Sequence, residues 1–279
     1  MRSTLPPFSL VIPVRDEGAA LHHSVPALVR ALVGLRARSI WVCNGCNDNS
    51  ASVIAMHAGS NAEILILDRP GKTPALQAGD DALGDLFPRF YLDADVILQQ
   101  DSFPRLLRPL LDGSADLIAA RIIHATDGVS PLSAAIARCW EALPYARQLA
   151  FLGIVGLSAT GRRNWGHWPV VTGDDIFVSA TVPPERSLIV PEVVALTCPP
   201  ADFAGWIRRR ARWLKGEREL RAMGLSPRAP VGQKQALMRL MLTPDHATGA
   251  WAFASARLLA TVLPDTPTTS WIPDRRGMT

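Results

Sequence analysis

Residues 8–43, FSLVIPVRDEGAALHHSVPALVRALVGLRARSIWVC, decide the fold. They open on a mostly apolar run, Phe8–Val14, of strand length and apolar enough to be covered on both faces. Glu17–Leu35 then places Leu21, Val25, Leu28 and Leu32 at three- and four-residue spacing, which is one buried face of a helix. Ser39–Cys43 is a second apolar strand. A strand, a helix and a strand in succession form a unit whose two strands run parallel.

Outward from this unit the alternation continues. Helices are expected at Ser50–Ala58 (capped by Asp48 or Ser50 and stopped at Gly59), Lys72–Leu83 and Asp101–Leu111, the last with Pro104 in its first turn. Strands are expected at Glu63–Leu67, Arg89–Leu92 and Asp116–Ile123. The expected class is therefore α/β, a mainly parallel sheet flanked by helices, with ligands beyond the carboxyl ends of its strands. After Ile123 the pattern weakens. Pro131–Phe151 reads as one helix kinked or broken at Pro144, Gly153–Gly166 as a mobile glycine-bearing segment with Arg162 and Arg163, and Leu188–Thr197 as one or two edge strands. Asp202–Met223 is a basic helix with Asp202 at its N-cap, and two weakly amphipathic helices and a Pro/Thr-rich tail, Pro264–Thr279, follow Gly224.

The 279 residues are 48% hydrophobic and 19% charged, which excludes a wholly disordered or fibrous chain. Residues 1–140 hold 12 basic against 14 acidic side chains, residues 141–279 hold 17 against 11, and 26 of the 29 basic residues are arginine. A nucleic-acid module would be basic throughout, so no nucleic-acid partner is expected; the asymmetry suits metal-phosphate chemistry. Four cysteines are too few for a disulfide framework. The first residues lack a secretory signal's apolar core, and no apolar window reaches about 18 residues. The nearest, Leu149–Leu157 and Trp251–Leu263, fall short or are interrupted by Arg257. The expected compartment is the cytoplasm.

Five constellations carry chemistry. Asp93-Ala94-Asp95 follows a strand, and its two hard oxygen donors suit Mg²⁺ or Mn²⁺; a solvated turn is the plainer reading. Cys43-Asn44-Gly45-Cys46-Asn47-Asp48 lacks the second ligand pair a structural zinc needs, and its turn suits a nucleobase or ribose. Gly71-Lys72 opens a helix after a strand, which gives Lys72 the sign for a diphosphate, or simply leaves a solvated lysine. In Thr172-Gly173-Asp174-Asp175 one carboxylate can enter a cleft while the other caps a helix; capping alone is the alternative. In the run from Arg208 to Gly216, Arg208, Arg212 and Lys215 share one helical face, and Trp206 and Trp213 argue for partial burial against an anion. Six histidines show no ligand spacing, and whether His167 or His246 joins a metal stays open.

In this order the motifs resemble those of the family 2 inverting glycosyltransferases of the GT-A fold. Val11-Ile12-Pro13-Val14-Arg15-Asp16-Glu17 is similar to that family's opening Val-Ile-Pro-x-x-Asn-Glu. Cys43–Ser50 fits Asp-Asp-Gly-Ser-x-Asp-x-Thr, and Gly71–Gly79 resembles Gly-Lys-x-x-Ala-Leu-Asn-x-Gly. Asp93-Ala94-Asp95 matches Asp-x-Asp, Asp174-Asp175 stands where the family has Glu-Asp, and Arg209–Trp213 resembles Gln-x-x-Arg-Trp. The resemblance covers about residues 8–220. It implies a Rossmann-like nucleotide-binding sheet and a nucleoside-diphosphate-sugar donor lined by Pro13, Arg15, Glu17, Asn44, Asp48, Lys72, Asp93, Ala94, Arg209, Arg212 and Trp213. It implies a divalent metal on Asp95 and Asp93, a catalytic base at Asp175 with Asp174 in support, and one-step displacement with inversion. The acceptor would be a small molecule or lipid-linked, with peripheral contact at the inner membrane face through Phe151–Leu157 and Trp251–Leu263 as a further expectation beside their reading as core. Cys43 and Asn44 replace the family's paired aspartates, Arg209 replaces its glutamine, and the membrane helices of processive members are absent. Residues 1–223 would be the transferase domain, with a donor half at about 1–123 and an acceptor half at about 124–223, and 224–279 a helical extension. The competing readings are an inactive nucleotide-sugar-binding relative and a sugar-nucleotide nucleotidyltransferase; the latter wants a Gly-rich basic loop where Arg15-Asp16-Glu17-Gly18 stands.

Overall fold

The computed structural model describes residues 5–59, 62–148 and 151–263; the expected tail, Pro264–Thr279, lies outside them. The chain begins as successive β-α units: β1 (Phe8–Val14), α1 (Gly18–Ala31), β2 (Ala37–Asn44), α2 (Ser50–His57), β3 (Ala62–Leu67), α3 (Lys72–Leu83) and β4 (Arg89–Leu92). Every residue of β1 and β4 is buried, as their apolar runs require. Helix α1 turns Leu21, Val25 and Leu28 inward and leaves His22 and His23 in solvent. Strands β3, β2, β1 and β4 pair in parallel, with Val14 opposite Cys43 and Val11 opposite Tyr91. Their carboxyl ends therefore share one edge, and the loops after Val14, Asn44 and Leu92 meet there.

The chain then runs through β5 (Ile97–Leu98), α4 (Ser102–Leu111), β6 (Leu117–His124), α5 (Pro131–Ala142), α6 (Pro144–Gln148), β7 (Ile154–Leu157), α7 (Ala159–Arg162), α8 (Asp174–Thr181), β8 (Ser187–Thr197), α9 (Phe203–Ala222), α10 (Gln233–Leu242) and α11 (Pro244–Leu259). The strand order is β3-β2-β1-β4-β7-β6-β8-β5. Beyond β4 the sheet becomes mixed: β7 is antiparallel to both β4 and β6, β8 is parallel to β6, and β5 is antiparallel to β8.

Three expectations are corrected here. Gly153–Gly166 is no mobile cover, because Ile154–Leu157 is a fully buried strand in the middle of the sheet. Gly156 is a packing glycine: a Cβ there would stand 2.6 Å from the Phe90 ring and 2.8 Å from Ile118. Phe151–Leu157 is likewise no membrane-facing patch, since Phe151 and this strand are core. Ser187–Thr197 is one strand, interior rather than at the edge, with a bulge opposite Ala120 and Arg121. The helix expected over Pro131–Phe151 with a kink or break at Pro144 does break there, at Leu143, whose extended backbone is what a following proline favours; residues 149–150 lie outside the described set.

Phe8, Phe90 and Phe103 pack together, Phe90 edge-to-face on the other two, with ring centroids 5.3–5.7 Å apart. Burying each such ring contributes roughly 1.5–3 kcal/mol. The Asp202 side chain accepts from the Gly205 amide at 2.8 Å and starts α9 as expected. Helix α11 packs on α5 closely enough that a Cβ on Gly249 would meet the Ala135 carbonyl at 2.1 Å. Among the described residues, no helix is long and apolar enough to cross a membrane.

Candidate active site

The carboxyl edge of the sheet gathers most of the chemistry-bearing residues into one cleft with two lobes. One lobe is lined by Pro13, Glu17, Lys72, Asp93, Ala94, Asp95, Arg209, Arg212 and Trp213. The other shares Pro13, Lys72, Asp93, Arg212 and Trp213 and adds Asp174, Asp175 and Lys215. Lys72 opens α3 after the glycine turn at Gly71 and ties the lobes together. Its Nζ lies 2.7 Å from Asp93 Oδ1 and 3.0 Å from Asp174 Oδ2. Burial works against its charge, but Asp174 and Asp93 more than offset this and hold its pKa above the usual lysine range.

The acids beside it are less well matched. Burial pushes Asp95 up to about 6, with Asp93 adding to the rise and Arg209 opposing it. Glu17 is raised well above the carboxylate range by burial, then by Asp95 and Asp93. One of its oxygens, Oε2, is buried with no hydrogen-bond partner. Burial and then Asp174 raise Asp175 to about 7, against the pull of Lys72. Helix α8 starts at Asp174 with Gly173 at the cap and no side-chain cap bond. The Asp174 carboxylate is turned to Lys72, which answers the alternative that these two acids only cap a helix. The turn Asp93–Val96 is held by the Asp93 amide on the Gly153 carbonyl at 2.8 Å. Helix α9 backs the Thr172–Asp174 loop: Glu219 accepts from the Thr172 amide at 2.6 Å, and Gly216 lies against Gly173.

A neighbouring cavity after β1 and β2 is lined by Arg15, Cys43, Gly45, Cys46 and Asp48. Its floor is braced by local bonds. Asp16 takes the left-handed conformation, φ 50°, and accepts from the Asn47 amide at 2.6 Å. Asp48 accepts from the Gly18 amide at 2.9 Å and the Ser50 amide at 3.0 Å. Burial works against the charge of Asp48, but the Ser50 and Gly18 bonds hold its carboxyl below the usual range. Asn44 departs from its expected place facing the nucleoside. It is fully buried, its amide donates to the Val14 carbonyl at 2.9 Å, and its oxygen accepts from the Gly71 amide at 2.9 Å. It fastens the loop before Lys72 to β1.

The sequence reading missed several side chains at the cleft. His124, the last residue of β6, lines the Asp93/Asp95 lobe, and its Nδ1 lies 2.9 Å from Glu141 Oε1. Burial lowers its pKa, although Glu141 opposes the shift. Its place at the carboxyl end of a strand was the available signal. Tyr91 and Trp168 wall the other lobe, their rings 5.1 Å apart. His167 is exposed on a loop, and neither it nor His246 lines the cleft.

A family model for glycosyl transferase family 2 matches residues 9–165, more than half of the chain. The chain belongs to glycosyl transferase family 2. The resemblance drawn from its motifs is thereby borne out, and the family's chemistry is glycosyl transfer. No curated protein sequence matches this family 2 chain. Among solved structures it is similar to a mannosyltransferase, PcManGT from Pyrobaculum calidifontis, in complex with GDP-Man and Mn²⁺. That likeness has 16% identity and a TM-score of 0.59 over 94% of this chain and 77% of that one. It is similar to residues 1–349 of S. aureus TarS at 9% identity and a TM-score of 0.52, over 91% and 90% of the two chains. It is also similar to mannosyl-3-phosphoglycerate synthase from Rubrobacter xylanophilus at 18% identity and a TM-score of 0.53, over 78% and 75%. These likenesses show the GT-A fold.

Among the described residues, no group of three or more His, Cys, Asp or Glu side chains is arranged to hold a metal. Asp93, one of whose oxygens is held by Lys72, and Asp95 are two hard oxygen donors, the kind of pair that suits Mg²⁺ or Mn²⁺, which keep most positions for water and substrate phosphates.

Proposed function

We propose that this family 2 glycosyltransferase moves a sugar from a nucleoside-diphosphate sugar to an acceptor hydroxyl, with inversion at the anomeric carbon and a divalent metal at Asp95 and Asp93. The observation that carries the reading is the cleft at the sheet's carboxyl edge, where Glu17, Asp93, Asp95, Asp174 and Asp175 face Lys72, Arg209 and Arg212. Asp95 and Asp93 would hold the cation, which when bound neutralises charge on the departing diphosphate. Arg209 and Arg212, both on α9, would bind diphosphate oxygens. Lys72 orients Asp93 and Asp174 across the cleft. Arg15 and Asp48 adjoin the nucleoside side, and Trp213 lines both lobes of the cleft. Residues 1–223 form the transferase unit in this reading, with the donor half before about residue 123.

Asp175 is the base. The metal-binding pair is engaged, and Asp174 is engaged by Lys72. A carboxylate raised to about 7 by its surroundings is suited to accept the proton of an incoming hydroxyl near neutral pH. Peripheral membrane contact belongs to the same reading through the C-terminal helices, where Met238, Leu242, Trp251, Leu258 and Val262 are exposed beside Lys234 and Arg239. Co-sedimentation with anionic vesicles at low salt tests that part.

The donor is tested by thermal stabilisation with UDP-, GDP- and dTDP-sugars, each with and without Mn²⁺. One nucleotide should raise Tm in a Mn²⁺-dependent way, and Asp95→Asn should abolish the metal-dependent part. Stabilisation by none of them would remove the reading.

A further inference from the structure

Helix α9 has a second working face. Arg210, Trp213, Glu217 and Arg221 follow at spacings of three and four and close a cavity of about 230 Å³ against α5, α6, residues 227–230 and α11. Its walls are the rings of Trp140, Tyr145, Trp213 and Phe253. Trp213 also lines the lobe that contains Asp175, so one indole borders both spaces.

The charge in this cavity is one-sided. Arg210, Arg221, Arg228 and Arg257 line it with a single acid, Glu217. Glu217 already takes Arg210 at 3.2 Å and Arg221 at 3.4 Å. Arg228 donates to the Val182 carbonyl. Arg257 enters from α11 with its guanidinium 5.9 Å from the Phe253 ring centroid. The Nε of Arg210 is buried and has no hydrogen-bond partner. Burial and the nearby Arg210 charge both press the Arg257 pKa downward. Guanidinium groups that crowd one another inside aromatic walls are short of an anion, and their planar forks match phosphate oxygens.

We propose that this cavity is the acceptor's anchor and that the acceptor is a phosphate ester. Its phosphate binds Arg210 and Arg257, its apolar part lies against Trp140, Tyr145 and Phe253, and its reacting hydroxyl passes Trp213 to reach Asp175. The role as acceptor anchor rests on the transferase reading; the phosphate site itself does not. The ester can be a soluble metabolite or a lipid-linked sugar phosphate, whose sugar supplies the hydroxyl.

The test is calorimetric titration of the full chain with phenyl phosphate and geranyl phosphate, with phenol and geraniol as uncharged controls. Each titration is run with and without saturating UDP or GDP and Mn²⁺. Both phosphates should bind with the nucleotide present, and both alcohols should bind at least tenfold more weakly. Arg257→Met and Arg210→Gln should each weaken phosphate binding at least tenfold and leave nucleotide affinity unchanged. If either variant fails to fold, the Lys exchange at that position replaces it, and its loss of bidentate contact should still weaken binding several-fold. Geranyl phosphate binding at least tenfold tighter than phenyl phosphate assigns a lipid-linked ester, and equal affinities a soluble one. The proposal is overturned if neither phosphate binds, if the alcohols bind equally, if the nucleotide displaces both phosphates, or if the variants bind like wild type. Nucleotide binding is read separately, so a failure of the transferase reading shows as loss of that signal alone.

Discussion

Asp80 and Asp175 belong to two acidic centres that differ in one respect, the supply of donors. Asp80, on α3, receives Arg89 Nη1 and the Tyr91 hydroxyl at 2.7 Å on one oxygen, and Arg162 Nε and Trp168 Nε1 at 2.8 Å on the other. Every contact is charged or directed, and the group is nearly sealed from water. The cleft is the reverse. Five carboxylates stand around Lys72, Arg209 and Arg212, and the Glu17, Asp95 and Asp175 pKa values are all raised. The first centre is closed on itself and joins α3, β4, α7 and the Trp168 loop. The second is completed only by something from outside, a cation or a proton. A saturated buried acid holds the fold, and an under-supplied one is available for chemistry.

This contrast is open to attack at both ends. The largest effect on stability should come from Asp80→Ala, which leaves Arg89 and Arg162 without their acceptor. Removing one partner of a buried pair costs about 3–5 kcal/mol, and urea unfolding should show it. A loss below about 1 kcal/mol, the ordinary worth of a neutral hydrogen bond, would mean the network is not what joins these elements. Arg162→Met should cost less, about 1.5–3 kcal/mol for a charged hydrogen bond, because Arg89, Tyr91 and Trp168 still serve Asp80. A cost equal to that of Asp80→Ala would show that the four donors act as one unit.

The third effect should have the opposite sign. A carboxyl whose folded-state pKa is raised to about 7 stabilises the fold fully only below its unfolded value near 4, and that contribution is lost as pH rises through 7. Asp175→Asn should therefore match wild type in Tm near pH 4 and exceed it at pH 8. A variant less stable than wild type at pH 8 would place Asp175 with Asp80 among the structural acids.

Much of the donor half was legible because its signals are local. The expected bounds Lys72–Leu83 and Arg89–Leu92 are the observed ones, since a glycine turn, an apolar period and a strand-length run lie within a few residues of each other. The Asp80 centre was illegible for the opposite reason. Its partners lie at positions 89, 91, 162 and 168, and only the folded sheet brings them together. Strand β7 was missed because Gly156 reads as a breaker, while in the fold that glycine is what lets Phe90 and Ile118 close over the strand. Asn44 shows a further limit. Its residue type suits a nucleobase, but it lies at the end of a buried strand, where Val14, Val42 and Gly71 backbone groups occupy its amide. The charge run of α9 was read on the Arg212 face alone, and the spacing from Arg210 to Arg221 equally describes a second face.

Whether the under-supplied acid Asp175 performs the proton transfer is measured most directly by single-turnover sugar transfer with Asp175→Asn, alongside donor and Mn²⁺ affinities. Affinities should be unchanged and the rate lower by about 10²–10⁴, the usual worth of a positioned base. Transfer at the wild-type rate by this variant would contradict the role of Asp175.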